Sequence, residues 1–166
     1  MASQQLLFYK YQGAGNDFIL VDNRDLTYQH NNPEKLAKLC NRRFGVGGDG
    51  IMFLELADGF DFKMVYYNAD GNPSSMCGNG GRCIVAFAKF LDIIDHETNF
   101  IAVDGPHYAK IADSGDWVSL QMIDVINIDR DGSDFVLNTG SPHYVKFAEN
   151  VADKDVFTEG RSIRYN

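Results

Sequence analysis

Residues Asn68–Cys83 read NADGNPSSMCGNGGRC, and an apolar segment, CIVAFAKFLDII, starts at Cys83. In that segment Ile84, Phe87, Ala88 and Leu91 make one helical face. Val85, Ala86 and Phe90 make much of the rest, and Lys89 and Asp92 are the only charges before Ile93. The spacing predicts a helix over about residues 79–92, apolar nearly all round and therefore buried at the centre of its domain. Its N-terminus falls in the glycine run directly after Cys77. Backbone N–H groups at a helix N-terminus are unpaired and carry partial positive charge. Cysteines at such positions ionise more readily than free thiols. Glycines beside them let a ligand approach the backbone, and the same N–H groups can hold a carboxylate. One short segment thus combines a candidate reactive sulfur with an anion cradle. The plainer alternative, a small residue filling a turn, stays open on these residues alone.

Working outward, Leu6–Tyr11 and Phe18–Asp22 read as strands separated by the turn-former Gly13-Ala14-Gly15-Asn16. A helix follows, with Asn32 as N-cap and Pro33 in its first turn. Leu36, Leu39 and Cys40 form its apolar stripe, which Phe44 continues. Arg42 and Arg43 are expected in the last turn, and Gly45 as its end. Ile51–Leu56 and Phe62–Tyr67 read as a hairpin around Ala57-Asp58-Gly59. Beyond the central helix, residues 100–123 form a meander turning at Asp104-Gly105 and Ser114-Gly115. Strands Phe135–Asn138 and Tyr144–Phe147 are joined by Thr139-Gly140-Ser141-Pro142-His143, and the final FTEGRSIRYN adds no closing element. Gly45–Gly50, GVGGDG, satisfies G-x-G-x-x-G, but a helix precedes it and a strand follows. That order is the reverse of a dinucleotide site, so the run reads as a tight turn beside the site.

Composition narrows the function classes. A chain of 166 residues suits one domain, or one plus part of another. A net charge of -8 repels phosphate, so nucleic acid is not an expected partner. No apolar run approaches the roughly 18 residues of a membrane span, and the first residues do not read as a signal peptide. Three cysteines, an odd number, argue against a disulfide framework and fit a reducing cytoplasm. Cys40 and Cys83 read as core residues, and the Cys77–Cys83 spacing is wrong for zinc, so no metal site is expected. His30, His96 and His107 read as surface residues. His143, in a Gly-Ser-Pro-His turn, is a candidate catalytic helper.

Four motifs stand in order: Gly13-Ala14-Gly15-Asn16-Asp17-Phe18, Arg43-Phe44-Gly45-Val46-Gly47-Gly48-Asp49-Gly50, Asn68-Ala69-Asp70-Gly71 and Cys77-Gly78-Asn79-Gly80-Gly81-Arg82-Cys83. Together they resemble diaminopimelate epimerase, over about Phe8 to Phe147. The resemblance implies an α+β fold: a mixed, mostly antiparallel sheet wrapped around a central apolar helix, in two similar halves with the active site between them. It assigns residues 1–121 to the N-terminal half and 122–166 to the beginning of a second, pseudo-symmetric half that is incomplete. It implies LL- and meso-diaminopimelate as substrates, interconverted by two cysteines without a cofactor, in the cytoplasm. By position Cys77 matches the first of those cysteines. Gly78 and Asn79 match the N–H donors to the α-carboxylate, and Asn16 and Asn68 match substrate-binding asparagines. The turn Gly140–His143 places His143 near the bases. Members are often dimeric, so a homodimer is a candidate state. Ser141 stands where an asparagine is usual, which puts that substrate contact in question. Gly50 stands where some members carry a substrate-facing glutamine. The second Cys-Gly-(Ser/Thr)-Gly, and the Glu-Arg pair before it, are not among these residues, so the chain is expected to be inactive alone. A proline or hydroxyproline racemase of the same fold, or a non-catalytic amino-acid-binding remnant, are the alternatives.

Overall fold

Two stretches, Phe18–Val21 and Ile51–Leu54, are apolar at every position, and the fold buries both of their faces. Strands buried on both sides read as continuous apolar runs. In the computed structural model, which describes residues 5–165, Ile19, Val21, Ile51 and Phe53 pack to one side with Leu36 and Cys40. Their neighbours Phe18, Leu20, Met52 and Leu54 pack to the other side with Ile84, Phe87 and Ala88. The period of two along each strand divides the residues between two helices.

Strands β1 (Tyr9–Gly13) and β2 (Asn16–Asp22) form a hairpin. Its two turn residues, Ala14 and Gly15, both have positive φ, 50° and 94°, as a tight hairpin twisted with its strands requires. Helix α1 (Pro33–Cys40) crosses to β3 (Gly50–Ala57), which lies parallel to β2 and antiparallel to β4 (Phe60–Asn68). Helix α2 (Gly78–Phe90) crosses from β4 to β5 (Glu97–Ala102), again parallel. Strands β6 (Gly105–Ile111) and β7 (Val118–Leu120) complete an antiparallel meander. The seven strands make one sheet in sequence order. Helix α2 packs against β1, β2, β3, β6 and β7, so both edge strands reach it. A sheet whose two edges touch the same helix is wrapped around it. Ile84, Val85, Phe87 and Ala88 are fully buried. This is the expected α+β architecture.

Helix α1 is shorter than its apolar spacing suggested. Asn41 leaves the helix with an extended backbone, and its side-chain oxygen accepts the N–H groups of Arg43 and Phe44, starting a separate turn. The carbonyls of Leu39 and Cys40 are capped by the N–H groups of Gly47 and Gly48, at 3.0 and 3.1 Å. Arg42 and Arg43 therefore lie beyond the helix, and Phe44, 82% exposed, does not extend its stripe. Gly45 does not end the helix; it lies against the carbonyls of Lys38 and Leu39.

The chain divides into two units. The first, described so far, runs through Asp124 and includes Thr139–Ser141; the second holds Val125–Asn138 and Pro142 onward. In the second, strands β8 (Ile128–Asp131), β9 (Asp134–Asn138) and β10 (Pro142–Val145) form an antiparallel sheet in the order β10-β9-β8. The final segment, for which no element was assigned from the sequence, holds helix α3 (Val156–Arg164), whose N-cap Asp155 accepts the Thr158 N–H at 3.0 Å. No described residue of this unit is buried; Ile128, Phe147 and Phe157 are more than half exposed.

Candidate functional site

The start of α2 is built by glycines that have no room for a side chain. A Cβ on Gly80 would collide with the end of Met52, and one on Gly81 would stand 2.7 Å from both Leu120 and Met76. These two seat the helix against the sheet. Gly78 is different: its nearest neighbours, Arg82 and Met122, are 3.7 Å away, on the open side. Cys77 is the N-cap, with an extended backbone (φ -120°, ψ 115°). Its Sγ accepts the Gly80 N–H at 3.5 Å. Gly81 makes the first helical bond, to the Cys77 carbonyl at 2.8 Å. The N–H groups of Gly78 and Asn79 precede that bond and are left to the site. Cys77 itself is half-buried. The sulfur thus caps the helix, in neither the core nor a strand.

The hairpin turn between β1 and β2 closes on the same helix end. A Cβ on Gly13 would meet the Asn79 carbonyl and the Cys83 sulfur, each at 3.0 Å. This brings Asn16 to Asn79, whose Nδ2 donates to Asn16 Oδ1 at 2.8 Å. Asn16 in turn donates to Asp49 at 3.0 Å. Asn68 ends β4 directly across from Gly50, and its Oδ1 accepts the Ser74 hydroxyl at 2.9 Å. Ser75, two residues before Cys77, donates to Ser141 Oγ at 2.9 Å. Cys77, Gly78, Asn79 and Asn16 are therefore one cluster, with Asn68 and Ser141 bonded to the segment that leads into Cys77. His143 lies on β10 in the second unit, exposed and paired opposite Leu137.

Two of the three thiols are shifted by their surroundings. Burial pushes the Cys40 and Cys83 thiols up to about 11, and both are core residues, 3% and 4% exposed. Burial, then the nearby Cys77, lifts the Tyr66 hydroxyl to about 12. Arg42 and Lys10 hold the Asp17 carboxyl well below the usual range. Asp49 is also lowered, first by the Asn16 amide. All three cysteines are free. Among the described residues no group of three or more His, Cys, Asp or Glu is placed to hold a metal. No described helix is long and apolar enough to cross a membrane.

Of the histidines read as surface residues, His107 is buried and His30 is half-buried. His107 is buried on β6, stacked on Phe100 and hydrogen-bonded to Asp104 at 2.9 Å and the Gln121 carbonyl at 3.0 Å. It alternates with Ala109 and Ile111 on the face turned to the core, a period-two signal present in the sequence. His30 stacks on Phe53 and bonds Tyr67 and Glu55 at 2.6 and 2.8 Å. His96 is exposed. Asp49, the residue that holds Asn16, was missed as a site residue. Its only signal was the glycine run around it, which read as a turn beside the site.

The same arrangement has relatives. The family model described as diaminopimelate epimerase matches residues 8–126. This chain belongs to the diaminopimelate epimerase family. It is 55% identical over 158 residues to the diaminopimelate epimerase of Flavobacterium psychrophilum, covering 95% of this chain and 61% of that protein. It is 40% identical over 161 residues to that of Chlorobaculum tepidum, covering 93% and 62%. The chain thus spans about three fifths of the length of these diaminopimelate epimerases. Among solved structures it resembles a probable proline racemase from Agrobacterium radiobacter, at a TM-score of 0.65 and 13% identity, covering 94% of this chain and 57% of that one. It also resembles a hydroxyproline epimerase from Agrobacterium vitis, at 0.62 and 12%, covering 92% and 56%. At such identities the likeness is one of fold.

Proposed function

We propose that these residues form one half of a cofactor-independent epimerase that interconverts LL- and meso-diaminopimelate, for lysine and peptidoglycan precursor synthesis in the cytoplasm. The observation that carries this reading is Cys77 at the N-cap of α2, beside the N–H groups of Gly78 and Asn79 that the helix leaves unused. Inverting an α-carbon needs a proton removed from one face and another delivered to the opposite face. Two thiols do this, one entering as thiolate and the other as thiol. In this reading Cys77 serves one face. Gly78 and Asn79 donate N–H groups to the α-carboxylate, and the helix end stabilises the negative charge that develops as the α-proton leaves. Asn16, Asn68 and Ser141 contact substrate, and His143 assists near the bases.

Residues 1–121 are read as the N-terminal half and 122–166 as the start of a second half; in this family reading the second half carries the other cysteine, which is not among residues 122–166. The test uses two chains. One is residues 1–166 alone. The other, the full-length form, continues them into the remaining length of the Flavobacterium psychrophilum relative. The full-length form should epimerise LL-diaminopimelate and leave proline and 4-hydroxyproline untouched; the 166-residue chain should not turn over. Cys77→Ala in the full-length form should abolish nearly all rate. Turnover by the short chain comparable to the full-length form would refute the two-thiol division. Racemisation of proline alone would favour the proline racemase reading.

A further inference from the structure

We propose that Asp49, Arg42 and Arg82 are positioning residues that lock the side-chain amides of Asn16 and Asn79 in one orientation through a single directed chain of hydrogen bonds. An asparagine amide has a donor end and an acceptor end of almost the same shape, so its neighbours decide which way it points. Here the neighbours leave no choice. Arg82, which can only donate, gives a hydrogen bond to Asn79 Oδ1. Asn79 Nδ2 gives one to Asn16 Oδ1 at 2.8 Å, and Asn16 Nδ2 gives one to Asp49 Oδ2 at 3.0 Å. The ionised carboxylate of Asp49 can only accept. Its other oxygen takes Arg42 at 2.8 Å, and the Asp17 backbone N–H reaches Oδ2 at 3.2 Å.

Every donor in this chain points the same way, from a guanidinium at one end to a carboxylate at the other. Turning either amide over would set N–H against N–H and oxygen against oxygen at both of its bonds. The charged ends strengthen the bonds between them. Each locked amide keeps one N–H and one oxygen lone pair unused, and those are what it can offer a ligand. The chain ties three separate segments together: the hairpin turn, the first turn of α2 and the glycine run before β3. Arg42 also bridges to Asp17 at 2.6 Å, and Lys10 joins Asp17 at 2.7 Å, so the acceptor end is anchored from two further positions. That this polarity serves substrate binding rests on the functional reading above; the hydrogen-bond chain itself does not.

The test therefore has two arms. In the 166-residue chain, labelled with nitrogen-15 and carbon-13, coupling across hydrogen bonds should connect Asn79 Nδ2 with Asn16 Cγ and Asn16 Nδ2 with Asp49 Cγ. In Asp49→Asn, the Asn79–Asn16 coupling should weaken and the Asn79 side-chain amide should exchange with solvent faster, although neither partner of that bond has changed. An unchanged Asn79 amide overturns the directed chain. In the full-length form, Asp49→Asn should raise the KM for diaminopimelate about tenfold, roughly the net worth of one hydrogen bond to a charged group, with kcat held within about threefold. An unchanged KM overturns the positioning role. If the couplings are present and the unmutated full-length form still does not epimerise, the functional reading fails and the locked amides stand.

Discussion

Treated with iodoacetamide near pH 8, the folded 166-residue chain should take up one label, at Cys77. Cys40 and Cys83 are 3% and 4% exposed, and burial raises both thiols from the ordinary 9.0 to about 11. The thiolate is the reacting species, so a rise of about two pH units leaves roughly one hundredth of the reactive form at any pH below both values. Reagent must also wait for the core to open locally before it reaches either sulfur. Cys77 is half-buried at a helix end and needs no such opening. Intact mass over time, followed by peptide mapping, should show Cys77 modified first, and Cys40 and Cys83 each modified at least about a hundredfold more slowly than the same thiols in the unfolded chain. All three should react together in strong denaturant. Labelling of Cys83 or Cys40 at a rate near that of Cys77 would refute the assignment of one accessible thiol and two core thiols.

The same two shifts make a stability prediction whose sign is set. Each buried thiol has a folded pKa above its unfolded one, so the folded state holds the proton longer. Its contribution is complete below the unfolded value near 9.0 and is lost as pH rises through about 11. At about 1.36 kcal/mol per pH unit, each thiol removes at most about 2–3 kcal/mol across that window. Urea midpoints measured at pH 8 and pH 10.5 should fall accordingly. The fall should be shallower in Cys40→Ala/Cys83→Ala, even though that variant starts less stable. An equal slope in the variant would mean the thiols are not its source.

Gly50→Ala should destabilise the first unit by about 1–3 kcal/mol, an overpacking cost. The new Cβ would lie 2.5 Å from both the Tyr66 ring and the Tyr67 carbonyl, and thermal melting reads the loss. Gly140→Ala should also lower the melting temperature. Its φ of +100° disfavours a side chain, and the Cβ would lie 2.5 Å from Asp104 Oδ2, a buried oxygen with no hydrogen-bond partner among the described residues. On the acid side, Asp17, Asp22 and Asp49 have lowered folded pKa values. Their stabilisation is present above the unfolded value near 4 and is lost as pH falls through the folded ones, so Asp17→Asn should flatten the acid limb of a urea-midpoint profile.

What could be read from the sequence followed how local its physics was. Helix α2 was legible because it is apolar all round and begins in a glycine run; both facts lie within about twenty residues, and together they put Cys77 at a helix start. The strands Phe18–Asp22 and Ile51–Leu56 were legible for the same reason. Helix α1 was overextended because what ends it is not periodic. Asn41 turns its side chain onto the next turn, and Gly47 and Gly48 fold back to cap the last carbonyls. His107 was misread although its alternation with Ala109 and Ile111 lay in the sequence; of its two partners Asp104 is local, and only the Gln121 carbonyl is brought to it when β6 and β7 come together. Asp49 shows the limit most clearly. Its glycine run was denied a nucleotide because the flanking elements come in the reverse order of a dinucleotide site. The positive role of the run depends on an aspartate 33 residues from Asn16 in the chain and 3.0 Å away in space. Cys77 and the unused N–H groups at the α2 N-terminus were therefore readable in advance. The orientation of the amides beside them is set by contacts that exist only after the sheet has closed around α2.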